Sequence, residues 1–268
     1  MLCTVFCNQI LSYLLPVEVK FQWRTTTTTT MDMGTIIPTT LLQTSLRQTR
    51  SISPARSRIS TSLCTRSSLK SKATTLMREH YAFDKNATTL MDFACGAGHI
   101  SRGLNPYAKY IVGVDITQAA IDMYNERAAE KGVPPEEMRG VCADLKGDES
   151  ELDGLKFDVI ACSMSYHHFG SIEDITKMLA FFLKPGGALL VVDILHIPGS
   201  DGENKSMVPE KYHHVVAHTS GFKERIRAVF EGAGLTMTKF VSDAVVDFEL
   251  THSGVVTLFF TKAVKPSS

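Results

Sequence analysis

From residue 76 onward, short apolar runs alternate with longer amphipathic stretches, and that rhythm leaves few architectures open to the chain. The runs are Thr89 to Ala94, Tyr110 to Val114, Met138 to Cys142, Phe157 to Cys162 and Ala188 to Asp193, each of strand length. Between them, Gln118 to Lys131 carries apolar side chains at Ala119, Ile121, Met123 and Tyr124, and Ile172 to Leu183 carries them at Ile175, Met178, Leu179 and Phe182, both at helical spacing. Lys184-Pro185-Gly186-Gly187 then stops the second helix and turns the chain into the fifth run. Strands joined by helical crossovers pair in parallel, so the class is α/β. The C-terminal part breaks the rhythm. A helix from Phe222 to Glu231 ends at Gly232 and Gly234, and the strand-like runs Leu235 to Val241 and Val255 to Thr261 follow with no helix between them. That pair is expected to form an antiparallel hairpin at the sheet edge.

Upstream of this region the text changes. Residues 1–75 hold nine basic and two acidic residues, and 25–75 is rich in Ser and Thr with an unbroken Thr25 to Thr30 tract. Such a segment has too little apolar surface to form a core, so residues 1–75 are read as a disordered or targeting tail and 76–268 as the folded domain. An Arg-, Ser- and Thr-rich, acid-poor stretch also suits a mitochondrial presequence, the alternative to a cytoplasmic location. The two parts carry about +7 and −7 and cancel over the chain, so no global field favours nucleic acid or an anionic membrane as partner. No apolar run reaches the roughly 18 residues that span a bilayer, so no integral membrane segment is expected. The six cysteines are scattered and none stands in a C-x-x-C pair, which speaks for a reducing compartment and against zinc.

Chemistry concentrates at the strand ends. Asp92-Phe93-Ala94-Cys95-Gly96-Ala97-Gly98 closes the first strand and opens a helix, the position where open parallel sheets bind ligands and where glycine lets the backbone approach them. Asp115, at the tip of the second strand, can accept both hydroxyls of a ribose. Asp144, after the third, can accept from an adenine amino group. Together they describe an adenosine site. A dinucleotide fingerprint would need a third glycine where Ser101 stands, so no pyrophosphate cradle is completed and a nicotinamide-dependent oxidoreductase is disfavoured. S-adenosylmethionine (SAM), which carries no phosphate, fits the pattern.

These blocks resemble the class I SAM-dependent methyltransferases, in particular the small-molecule branch that includes the ubiquinone and menaquinone biosynthesis C-methyltransferases. Met91 to Gly98 is similar to the family's first motif, Ile111 to Ile116 to the second-strand motif, and Cys142-Ala143-Asp144-Leu145 to the third. Phe157 to Phe169 resembles the fourth, and Leu183 to Gly187 the turn before strand five, so the resemblance covers residues 88–262. It implies a Rossmann-like seven-stranded sheet in the order 3-2-1-4-5-7-6, strand 7 antiparallel, with helices on both faces. It also implies a SAM site made of Asp92, Gly96, Gly98, Asp115, Ile116, Asp144 and Leu145, completed by backbone near Ser163. Two departures stand out: Ala94 replaces a common glycine, which is read as trimming space near the methionine part, and only Leu76 to Phe83 could form the helix that relatives carry before the first motif.

Methyl transfer from a sulfonium asks the protein mainly for alignment and a water-poor pocket, and for a base where the acceptor must lose a proton. His167 and His168, after strand four, are the candidate bases, with Tyr166, His214 and His218 in the acceptor pocket. A metal is not expected, since no i, i+4 histidine pair backed by carboxylates appears except His214 with His218. The expected activity is methylation, on oxygen or carbon, of a small-molecule acceptor. A weakly active or inactive SAM-binding assembly protein is the alternative.

Overall fold

The computed structural model describes residues 69, 71–196, 222–247 and 255–267. Helical residues 71–80 (α1) lead into β1 (Thr89–Phe93), α2 (His99–Leu104), β2 (Tyr110–Asp115), α3 (Gln118–Glu130) and β3 (Met138–Cys142). β4 (Phe157–Ser163), α4 (Ile172–Phe182), β5 (Leu183–His196), α5 (Phe222–Gly232), β6 (Thr236–Asp247) and β7 (Val255–Val264) complete the order. The seven strands form one sheet in the order β3-β2-β1-β4-β5-β7-β6. β1 to β5 pair in parallel, while β7 runs antiparallel to both β5 and β6, so the expected hairpin is present at the edge.

The strands are apolar on both faces because both are covered, as period-two alternation requires. Met91, Val112, Ile160 and Leu189 share a cluster with Ile172 and Leu179 of α4 and Phe230 of α5. Their chain neighbours Leu90, Ile111, Val159 and Leu190 join Met77 of α1, Leu104 of α2 and Tyr124 of α3 on the other side.

Helix α1 runs through the boundary expected between residues 75 and 76, and Leu69, Ala73, Leu76 and Met77 are all buried. Residues 1–68, which hold most of the expected tail, lie outside the described residues. At the N-terminal edge of the sheet the Asp158 carboxylate accepts from Thr89 N and Oγ1 at 2.8 and 2.7 Å and from Lys184 Nζ at 2.9 Å, tying the start of β1 to the start of β5.

Candidate functional site

The site grows out of the C-terminal ends of β1 and β2. Beyond Phe93 the chain turns sharply, with positive φ at Ala94 (55°), Gly96 (50°) and Gly98 (74°). Ala94 therefore matters for its backbone: an L-residue held in the left-handed region costs about 1 kcal/mol or more, and a glycine there would be relaxed. This replaces the expectation that Ala94 merely trims space.

Gly98 is required twice over. Besides its φ, a Cβ at this position would lie 2.5 Å from the Tyr124 ring. Gly113 on β2 and Gly140 on β3 face the same ring, where a Cβ would stand 2.3 and 3.0 Å away. Together the three glycines open a slot for a fully buried tyrosine beneath the turn.

Asp115 organises the turn from β2. Its Oδ2 accepts from Gly96 N and its Oδ1 from Thr117 N, both at 3.0 Å. Each carboxylate oxygen keeps acceptor capacity beyond its one backbone bond. Ile116, next in the chain, is a large apolar residue left 47% exposed, a flat surface beside Asp115. Asp144 is exposed and held by Lys146 Nζ at 2.6 Å, while Leu145 is buried in the core. Ser163 is half-buried at the end of β4, and its carbonyl accepts from Ser165 Oγ at 3.1 Å.

Asp92 sits underneath, almost fully buried. Its Oδ2 accepts from Ser101 N at 3.0 Å and Ser101 Oγ at 2.6 Å, so a carboxylate from β1 caps the start of α2. Burial pushes the Asp92 carboxyl up to about 6, against the Ser101 hydrogen bonds that favour its ionised form.

The segment expected to form the acceptor side follows β4. Register places Cys162 opposite Phe93, Met164 N donates to Val192 O at 2.8 Å, and the Phe169 ring lies 5.9 Å from that of Phe93, so this segment packs beside the glycine turn. A short 3-10 turn, Tyr166–His168, carries the candidate bases. Tyr166 is fully buried with its hydroxyl 3.0 Å from Thr176 Oγ1, which makes it a core contact between the turn and α4. His167 is nearly buried: its Nδ1 lies 2.6 Å from Asp193 Oδ1, and its backbone N–H reaches Asp193 Oδ2 at 3.2 Å. Burial alone would lower the His167 value, but the Asp193 charge and hydrogen bond outweigh it and raise it above the ordinary 6.5. His168 is exposed, its ring centroid 4.0 Å from that of His167. His214 and His218 lie outside the described residues.

Three participants escaped the sequence reading. Ser101 drew notice only as a missing glycine, Tyr124 only as a helix-face residue, and Asp193 only as the end of a strand. An acid following Ala188 to Val192 was a signal that Asp193 needs a buried partner.

Comparison with known proteins bears on this arrangement. Residues 91–189 match the family model described as a methyltransferase domain. An uncharacterized methyltransferase of Schizosaccharomyces pombe is 36% identical over 168 residues, 60% of this chain and 57% of that protein. A ubiquinone biosynthesis O-methyltransferase of Haemophilus ducreyi is 24% identical over 105 residues, 39% of this chain and 44% of that protein. The crystal structure of a putative methyltransferase from Bacillus halodurans superposes with a TM-score of 0.57 at 19% identity, covering 72% of this chain and 98% of that one. Residues 91–189 of this chain are thus similar to a methyltransferase domain, and the fold around them is that of solved methyltransferases. The chain spans just over half the length of the Schizosaccharomyces relative and under half of the Haemophilus one.

Methyltransferases of this class use SAM, and the residues present fit it. Of the first N–H groups of α2, where a dinucleotide's pyrophosphate would rest, that of Ser101 donates to the Asp92 carboxylate, so a phosphate would meet a buried acid. The spare acceptor capacity of Asp115 and the bare face of Ile116 instead suit an uncharged ribose and an adenine.

Proposed function

We propose that the protein transfers the methyl group of SAM to a hydroxyl or activated carbon of a small-molecule acceptor. The reading rests above all on one observation: the carboxylate of Asp92 occupies the helix start below the glycine turn, while that of Asp115 stays poised beside the turn. That combination favours a phosphate-free adenosine. The Haemophilus relative, a ubiquinone biosynthesis O-methyltransferase, supports a small-molecule acceptor and transfer to oxygen.

In this proposal Gly96 and Gly98 let the backbone approach the amino acid part of SAM, and Asp92 fixes their turn from below. Asp115 takes the ribose hydroxyls. Ile116, Asp144 and the backbone of Leu145 receive the adenine, with Lys146 releasing Asp144 as the ligand enters, and the Ser163 backbone closes the far side. SAM supplies an already activated methyl group, so the protein's part is alignment and removal of the acceptor's proton. His167 is the base we favour, with the His168 ring tilted against it at the exposed side of the turn. Tyr166 is assigned to the core and leaves the acceptor pocket.

Calorimetry of the full chain with SAM and with NADH tests the cofactor. SAM binding without NADH binding is expected, and the reverse would overturn the proposal. Turnover of SAM against a panel of phenols, quinols, amines and carboxylic acids tests the chemistry. Methylation of a phenol or quinol that falls about 10² to 10⁴-fold in His167→Ala, with SAM affinity retained, is the expected result.

A further inference from the structure

The mechanism above uses His167 but leaves Asp193 without a part. Asp193 is an acid near the C-terminal end of β5, fully buried in the core of the sheet. A buried carboxylate is costly unless its lone pairs are filled, and here they are. Ile194 N donates to Oδ1 at 2.7 Å, His167 N to Oδ2 at 3.2 Å, and His167 Nδ1 stands 2.6 Å from Oδ1. Two of these three bonds go to a single residue on another element, and they grip it by both backbone and ring. A capping role alone would need only the backbone bond.

A carboxylate only accepts, so the short contact to Nδ1 requires the proton on Nδ1 whenever the ring is neutral. The lone pair of neutral His167 is then on Nε2. The hydrogen bonds that hold His167 run through its backbone N–H and Nδ1, on the side away from Nε2, and the side chain keeps 11% of its surface open. We propose that Asp193 is a positioning residue that locks His167 in the Nδ1-protonated tautomer and presents Nε2 as the proton acceptor for a hydroxyl-bearing acceptor. This deepens the reading of His167 as the base and rests on it.

The proton step balances within the named groups. The acceptor's hydroxyl proton passes to Nε2, the electron pair of the broken O–H bond stays on the acceptor oxygen, and the imidazolium later gives its proton to water. Asp193 keeps its charge throughout and stabilises the imidazolium. Of the titratable groups around the dyad, Asp193 comes from β5 and His168 from the same turn as His167. Cys162 and Tyr166 lie near Asp193, and burial raises both, so the thiol and the phenol stay neutral. The Asp193 charge holds the imidazolium to higher pH, so the base becomes available at a higher pH than an ordinary histidine would.

The test is a nitrogen-15 and carbon-13 NMR titration of the histidine-labelled full chain, which has nine histidines, with His167 assigned by its loss in His167→Gln. In the wild type, the neutral ring should carry its proton on Nδ1 and titrate above 6.5. In Asp193→Asn the carboxamide can donate to Nδ1 and favour the wrong tautomer, as burial alone then lowers the titration point. That point should fall, and the acid limb of kcat for the fastest phenol of the panel should fall with it. The kcat itself should drop about 10² to 10⁴-fold while KM for SAM stays within about threefold. An Nε2-protonated wild-type ring overturns the proposal without any variant, so poor folding of Asp193→Asn leaves it decidable. An unchanged titration and pH profile in Asp193→Asn, with His167→Ala inactive, overturns the role of Asp193 alone. Full activity in His167→Ala removes the base reading and this proposal with it.

Discussion

Replacing Asp115 by alanine removes a carboxylate that acts on two levels. Oδ2 holds Gly96 N–H and Oδ1 holds Thr117 N–H, each at 3.0 Å, so the group fixes the glycine turn and the entry to α3 before any ligand arrives. Each oxygen retains acceptor capacity, enough for the two hydroxyls of a ribose. Hydrogen bonds to a charged group contribute about 1.5–3 kcal/mol, and in a half-exposed site water recovers part of that for the pair, so a total near the same 1.5–3 kcal/mol is expected. The corresponding loss of SAM affinity is about ten- to a hundredfold. Asp115→Asn keeps one acceptor oxygen and a similar shape, and should fall between alanine and the wild type. Isothermal titration calorimetry with SAM and S-adenosylhomocysteine gives the affinities, and thermal unfolding of each variant shows that the fold persists. A folded Asp115→Ala protein that binds both ligands within twofold of the wild type would refute the assignment, because neither the ribose contact nor the preordered turn would then matter.

Three further outcomes follow from the ground beneath the turn. Gly113→Ala places a Cβ 2.3 Å from the buried Tyr124 ring and should cost about 1–3 kcal/mol or more in urea unfolding; an unaffected midpoint would show that the ring can move. Tyr124→Phe removes a buried hydroxyl that has no hydrogen-bond partner among the described residues and should stabilise by about 1 kcal/mol, whereas a clear loss would reveal a bond to neighbouring Ser101. Asp92 titrates near 6 in the fold against 3.8 for the ordinary group, so its protonated form is favoured natively: its contribution to stability is full below about pH 4, is lost as pH rises towards 6, and is flat beyond. Ionised Asp92 thus costs on the order of 3 kcal/mol, and Asp92→Asn should flatten the stability profile between pH 4 and 6.5. An identical profile in that variant would assign the titration elsewhere.

Much of this architecture was legible in the sequence because its signals are local. Period-two apolar runs, helical spacing at Ile175, Met178, Leu179 and Phe182, and the Lys184-Pro185-Gly186-Gly187 stop are properties of neighbouring residues, and they suffice for a parallel α/β core with an antiparallel hairpin. The glycine turn and Asp115 were legible for the same reason, since strand ends in such a sheet are where ligands meet the backbone.

What only the tertiary structure decided are contacts between residues far apart in the chain. Gly98, Gly113 and Gly140 read as unrelated glycines until α3 lays Tyr124 across all of them. Tyr166, placed by sequence in the acceptor pocket, turns into the core because Thr176 offers its hydroxyl a partner there. Ser101 counts as a missing third glycine in the sequence, yet in the fold it is the residue that holds Asp92. The two histidines after β4 were equivalent in the sequence and are not in the fold, where Asp193, 26 residues further on, grips His167 while His168 remains exposed. Sequence periodicity fixes which face a residue takes, but a buried charge must find its partner in space, and parallel pairing of β4 with β5 is what brings that partner within 2.6 Å.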